Sequence, residues 1–268
     1  MENGVMLRIS ARQTTKTINA GLRGGTDAVI MPSGGRGCSS IEALARALVP
    51  APRGSSLPGR PRQGRGQNAS MTTIFRTLAV LAALAGHVSP ARAQTAAAPV
   101  TLTAPDGIAR KASYYPPGRP GPGLVLLHQC NRDRSAWHTF ATAAAARGYH
   151  VIAMDYRGYG ESEGRLLEDP QQQFALASEK WPGDVDAAFA WLLAQPGVDR
   201  QRIGAAGASC GVGQSVLLAR RHPEVKTVML LSGNVAPEGR EYLRASPWLP
   251  VLAAASEDDG NAIESMRW

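Results

Sequence analysis

Ile203-Gly204-Ala205-Ala206-Gly207-Ala208-Ser209-Cys210-Gly211-Val212 is the stretch on which the reading of this chain turns. Ile203 to Gly207 is a continuous run of apolar and small residues, the mark of a strand buried on both faces. Gly207-Ala208-Ser209-Cys210-Gly211 then fits Gly-x-Ser-x-Gly, in which a serine stands on a strained turn between a strand and a helix. Small residues two positions either side let the backbone pack tightly there. A helix is predicted from Gly211 to about His222. The chain holds a second match, Gly160-Glu161-Ser162-Glu163-Gly164. Ser162 lies several residues past its strand and precedes Arg165-Leu166-Leu167-Glu168-Asp169-Pro170, with no helix of useful length, so it reads as a loop serine. Cys210 is the rival nucleophile, but its flanking positions would be Ala208 and Val212, and a β-branched valine suits the turn badly. Ser209 is in register.

Outward from that turn, buried strands alternate with helices. Val100–Thr103 and Ile108–Tyr115 read as short strands joined at Pro105-Asp106-Gly107. Gly123–His128, His150–Asp155, Val225–Leu231 and Val251–Ala255 are further strands. Ser135 can cap a helix reaching Arg147, which Gly148 stops. Pro182, Asp184 and the apolar spacing from Val185 to Leu193 predict another, and Ala262–Trp268 begins a last one. The pattern predicts an α/β fold with a mostly parallel sheet covered by helices on both faces. In such sheets the chemistry sits at the carboxyl ends of the strands.

The formal net charge of +8 suggests a nucleic-acid or membrane partner until it is located. Of 29 Lys and Arg, 12 fall in residues 1–93, against 3 of 21 Asp and Glu; residues 94–268 carry 17 and 18. The globular part is near neutral, and the nucleic-acid reading loses its support. Residues 1–70 are rich in Gly, Arg, Pro and Ser, lack a sustained hydrophobic period, and are expected to be a disordered extension. No aromatic residues interleave the Arg/Gly tract for base stacking. Residues 71–93 have the three parts of a secretory signal peptide: Met71-Thr-Thr-Ile-Phe-Arg76, the apolar Thr77–Gly86, and Ala91-Arg92-Ala93 after Pro90. The apolar run is about half the ~20 residues of a membrane span, so no stable span is expected. The reading implies that Met71 is the true start, that residues 1–70 come from a start codon placed too far upstream, and that a domain from Gln94 to Trp268 is periplasmic or secreted.

Four pieces now stand in order: Leu126-Leu127-His128-Gln129-Cys130, Asp155-Tyr156-Arg157-Gly158-Tyr159-Gly160-Glu161-Ser162, the Ser209 turn, and Pro250-Val251-Leu252-Ala253-Ala254-Ala255-Ser256-Glu257-Asp258-Asp259. Together they resemble the α/β-hydrolase superfamily, and within it the dienelactone-hydrolase-like branch, from about Val100 to the end. The resemblance implies a Ser…Asp…His triad in that chain order. Ser209 matches the nucleophile and Asp259 the acid, three places after Ser256, with Asp258 the less favoured neighbour. Cys210 and either Gln129 or Cys130 would supply the oxyanion N–H groups. His128 would support the oxyanion loop rather than act as base. The dienelactone hydrolases themselves carry cysteine at the turn. A serine there favours an ordinary carboxylic ester, lactone or acyl derivative, a small-molecule substrate. A peptidase reading stays open, without an accessory domain to restrict peptide access. Neither a metal site nor a dinucleotide or other cofactor site is apparent.

Two consequences follow from the resemblance. Cys130 and Cys210 are the two cysteines after the signal segment, on loops that should meet at the oxyanion hole, and export would place them in an oxidising compartment. Two readings stay open, a disulfide between them, worth up to roughly 4–5 kcal/mol in the chain-entropy model, or two small buried thiols. The triad also needs a histidine after the acid, yet His87, His128, His138, His150 and His222 all precede Asp259. The chain is therefore expected to be truncated, lacking the last strand and helix of the fold, with a strand edge left open. The rival class is an inactive, truncated or degenerate α/β fragment.

Overall fold

The computed structural model describes residues 6–8, 26–31 and 96–268, apart from 257 and 268. Nine strands form one sheet: β1 (Met6–Arg8), β2 (Thr26–Met31), β3 (Ala98–Thr103), β4 (Ala109–Tyr115), β5 (Gly121–Leu127), β6 (His150–Met154), β7 (Val198–Ala208), β8 (Val225–Leu231) and β9 (Val251–Ser256). Their order across the sheet is β1-β2-β9-β8-β7-β5-β6-β4-β3. β4 pairs antiparallel with both β3 and β6, and the other pairs are parallel. The helices are α1 (His138–Ala146), α2 (Pro170–Leu193), α3 (Cys210–Arg221), α4 (Pro237–Ala245) and α5 (Gly260–Arg267), with a 3-10 turn at Arg134–Trp137.

The side-chain period of two divides each central strand between two cores. Val125 and Leu127 of β5, with Ile152 and Met154 of β6, pack with Val185 and Phe189 of α2 and Val212 and Val216 of α3. Leu126, Val151 and Ala153 point the other way, against Trp137 and the α1 residues Phe140 and Ala141. Each such aliphatic or aromatic side chain gains about 1.5–3 kcal/mol by leaving water. This two-faced burial explains why β5 and β6 read as unbroken apolar runs.

Besides shifted ends, with Asp133 rather than Ser135 capping the turn before α1 and β7 beginning at Val198 rather than Ile203, three elements differ from the sequence reading. The helix expected near Pro182 begins twelve residues earlier. Asp169 caps it, Oδ1 accepting from the N–H groups of Gln171 (2.7 Å) and Gln172 (3.2 Å), and Pro170 takes the first helical position, where a missing N–H costs nothing. Pro182 is carried inside the helix. Next to it, Trp181 is buried and stacks on Tyr156 with ring centroids 4.1 Å apart. α4 escaped notice because Gly239 is its one buried residue, and only the partly buried Tyr242 and Leu243 pack beside it against the core.

The third difference lies in residues 1–70, expected to be without structure. Thr26–Met31 runs parallel to β9 in a six-residue register, Thr26↔Val251 to Met31↔Ser256, and Met6–Arg8 pairs with it in turn. The edge of β9 that was expected to be open is therefore paired by a short apolar run, Ala28-Val29-Ile30-Met31, too brief to show a period of its own. The remainder of 1–70 and the signal segment 71–93 lie outside the described residues.

Candidate active site

Ser209 stands between β7 and α3 with φ 50° and ψ −117°, a conformation that L-residues rarely adopt. It is exposed, while Ala208 before it is buried. Its backbone is gripped on both sides: Ser209 N–H donates to Leu231 O (2.9 Å), and Ser209 O accepts from Val212 N–H (3.0 Å). The glycines of the motif are required by close backbone approach. A Cβ on Gly207 would fall 2.0 Å from Gly211 O, and one on Gly211 would fall 2.4 Å from Leu127 O. A third glycine, Gly233 after β8, would put a Cβ 2.3 Å from Ser209 O. Beside it, Ser232 is the second non-glycine residue with positive φ (44°), and its hydroxyl is buried without a hydrogen-bond partner. Sequence reasoning missed Ser232-Gly233; a small-residue pair directly after a buried strand was the available signal.

Asp259 reaches the same edge of the sheet. Ala208 is level with Leu231, and Leu231 with Ala254, so β7 and β8 end level while β9 runs two residues further, to Ser256. With β8 between them, β7 and β9 lie about 10 Å apart at a spacing of ~4.8 Å per strand. Asp259 also serves its own helix: Oδ1 accepts from Ala262 N–H (3.0 Å) at the start of α5. Asp258 beside it is exposed. Asn234, Arg240, Asn261, Glu264 and Ser265 line a cavity of about 300 Å³ between the starts of α4 and α5.

On the other side, Leu127 at the end of β5 is level with Gly207, which brings the loop beginning at His128-Gln129-Cys130 beside Ser209. Cys130 and Cys210 are joined by a disulfide, with Cα atoms 5.8 Å apart. Cys210 is the first residue of α3, and the first N–H groups of a helix have no partner within it. The N–H of Cys210 and those of Gln129 and Cys130 thus belong to two segments tied together next to the serine.

His128 is fully buried and both its ring nitrogens are used. Nδ1–H donates to Gln129 O (2.8 Å), and Nε2 accepts from Tyr156 N–H (3.2 Å). Burial pushes its pKa below the ordinary 6.5. It is a neutral strut between two loops. The other described histidines are engaged elsewhere: His138 with Tyr115 Oη (3.2 Å), His150 with Tyr114 Oη (2.5 Å) and Arg119 O (3.1 Å), and His222 with Asp186 Oδ1 (2.9 Å). Ser162 is buried, donating to Asp155 O (2.8 Å) and accepting from Lys111 N–H (2.8 Å), which makes it part of the framework. Asp155 also accepts from Arg134 N–H (2.7 Å) and pairs with the Arg134 guanidinium. No group of three His, Cys, Asp or Glu among the described residues could hold a metal ion, and no described helix is long and apolar enough to cross a membrane.

Comparison with known proteins agrees with this fold. The family model for X-Pro dipeptidyl-peptidase (S15 family) matches residues 84–253. Among curated proteins, the uncharacterized protein Rv2307c of Mycobacterium tuberculosis is 32% identical over 155 residues, covering 57% of this chain and 50% of that protein. Thiohydrolase aneE of Aspergillus aculeatus is 33% identical over 141 residues, covering 52% and 42%. The chain thus spans about half the length, or less, of these curated relatives. A solved structure named m3DLH superposes with a TM-score of 0.50 at 22% identity, over 64% of this chain and 75% of that one. On the match to more than half its residues, the chain belongs to the X-Pro dipeptidyl-peptidase S15 family of α/β hydrolases.

Proposed function

We propose that the protein is a serine hydrolase that cleaves carboxylic esters, lactones or related acyl compounds through an acyl-enzyme at Ser209. The observation that carries this reading is the exposed serine held at positive φ between β7 and α3, in a turn whose close backbone approaches require Gly207, Gly211 and Gly233. Ser209 Oγ attacks the substrate carbonyl, and the oxygen that becomes negative is received by N–H groups of Cys210 and of Gln129 or Cys130. Asp259 orients the imidazole that takes the serine proton and returns it to the leaving group. Water then attacks the acyl carbonyl by the same route and frees Ser209. The four described histidines are engaged elsewhere, and none of them is assigned as that base.

A fluorophosphonate probe tests the nucleophile. Labelling should vanish in Ser209→Ala and persist in Ser162→Ala; labelling that survives Ser209→Ala refutes the assignment. The family name adds an X-Pro peptide amide to the substrates worth testing, and thiohydrolase aneE adds a thioester. Turnover of p-nitrophenyl acetate in excess of an X-Pro p-nitroanilide and an acyl thioester is the expected order. The second reading, a fold without catalysis, draws on those same engaged histidines, and predicts no labelling in any form of the chain. We further propose export by residues 71–93, with N-terminal sequencing of the exported protein beginning at Gln94; intact cytoplasmic protein starting at Met1 would refute it.

A further inference from the structure

The Cys130–Cys210 disulfide joins the two segments to which the oxyanion N–H groups of the proposed function belong. One cysteine directly follows Ser209 and opens α3; the other lies two residues beyond the buried strut His128. The loop between His128 and the 3-10 turn takes its other anchors from within itself and from the β6 side. His128 ties its start to Tyr156 N–H, Arg132 N–H donates to Gln129 O (3.1 Å), and Arg134 N–H donates to Asp155 Oδ1 (2.7 Å). The link from that loop to the serine turn is the bridge, next to the tight seat of Gly211 on Leu127 O. Cys130 is exposed and Cys210 half-buried, so a small thiol can reach the bond. Exposed disulfides are the reducible ones, whereas buried staples resist.

We propose that this disulfide is a redox-dependent positioning element: oxidised, it holds the two oxyanion donors in register for acyl transfer at Ser209, and reduced, it lets them part. The inference rests on the reading of Ser209 as nucleophile. A dithiol reductant switches it off in two exchanges. Its first thiolate attacks one sulfur and forms a mixed disulfide; its second thiolate then displaces the cysteine. The protein ends with two thiols and the reductant as a cyclic disulfide. A low-molecular-weight disulfide, itself reduced to two thiols, restores the bond. The device keeps the enzyme quiet where thiols prevail and active where they do not.

The test compares oxidised, dithiothreitol-reduced and reoxidised full chain by two readouts. For a fluorophosphonate, reduction should lower kinact at least tenfold and leave KI within twofold, since loss of one oxyanion donor acts on the transition state rather than on recognition. Reoxidation should restore kinact. Cys130→Ala should show the reduced rate and ignore reductant. Hydrogen exchange should quicken at residues 128–133 and 209–212, while β5 and β7 stay protected. An unchanged kinact, or exchange that quickens evenly across the sheet, overturns the proposal and leaves the bond a plain staple. Should Ser209 fail to label in either state while the local exchange change appears, the nucleophile reading falls and the bridge's hold on the two segments stands.

Discussion

The strain at Ser209 should be measurable as stability released when glycine replaces it. A residue in a sparsely populated backbone region costs about 1–3 kcal/mol, and Ser209 at φ 50° and ψ −117° is such a residue. Ser209→Ala removes the hydroxyl and keeps the Cβ that makes the conformation costly. Because the side chain is exposed, this change should stay within about 0.5 kcal/mol of the parent. Ser209→Gly removes the Cβ as well. Against the relief stands glycine's extra freedom in the unfolded chain, roughly 0.5–1 kcal/mol. The net gain of glycine over alanine is about 1 kcal/mol, or 2–4 °C in Tm for a domain of this size. Thermal and urea unfolding of the two variants, both unlabelled by fluorophosphonate, isolates the strain from the chemistry. Ser232 provides an internal control: Ser232→Gly relieves a positive φ and also deletes a buried hydroxyl without a partner, so its gain should exceed that at Ser209. A Ser209→Gly variant no more stable than Ser209→Ala would refute the idea that the turn stores strain at the nucleophile.

Gly207→Ala places a methyl group against Gly211 O; overpacking of backbone on backbone should cost about 3 kcal/mol, seen as a lower urea midpoint, and abolish labelling of Ser209. Asp184 is fully buried and holds Arg157 through two bonds (2.8 and 2.7 Å) and Arg110 at 3.1 Å. Asp184→Asn leaves two guanidinium groups without their shared countercharge and should cost about 3–5 kcal/mol by equilibrium unfolding. Burial holds His128 and His150 below their ordinary 6.5, so the unfolded chain takes up protons first as pH falls. Their contribution to stability is intact above about 6.5 and is lost below it, with a slope of at most ~1.4 kcal/mol per pH unit for each. Unfolding between pH 7.5 and 5 should show this loss, and His128→Gln should flatten it.

What was legible in the sequence follows from how each element earns its place. β5, β6 and β7 are buried on both faces, so their apolar runs carry no ambiguity, and the serine turn is forced by glycines that the backbone leaves no room to replace. The disulfide was open in the sequence, bridge or two thiols, and the fold decides it by setting Leu127 level with Gly207 so that the two loops meet. α4 and the first half of α2 were hidden for the opposite reason. α4 buries one glycine, and the leading turns of α2 are set by Asp169 and Pro170 rather than by an apolar period, with Phe174 left 74% exposed. The pairing of Thr26–Met31 with β9 could not be read locally at all, since a four-residue apolar run acquires meaning only from the edge it meets. The same division separates the parts of the site. Ser209, Gly207 and Gly211 are tied to their roles by backbone geometry that a motif expresses directly. Ser232 and Gly233 reach the serine from the neighbouring strand, and the unpartnered hydroxyl of Ser232 stands just past the end of β8, the strand between β7 and β9. A contribution of that hydroxyl to the chemistry would be visible only in the fold, because nothing in Leu231-Ser232-Gly233-Asn234 distinguishes it from an ordinary turn.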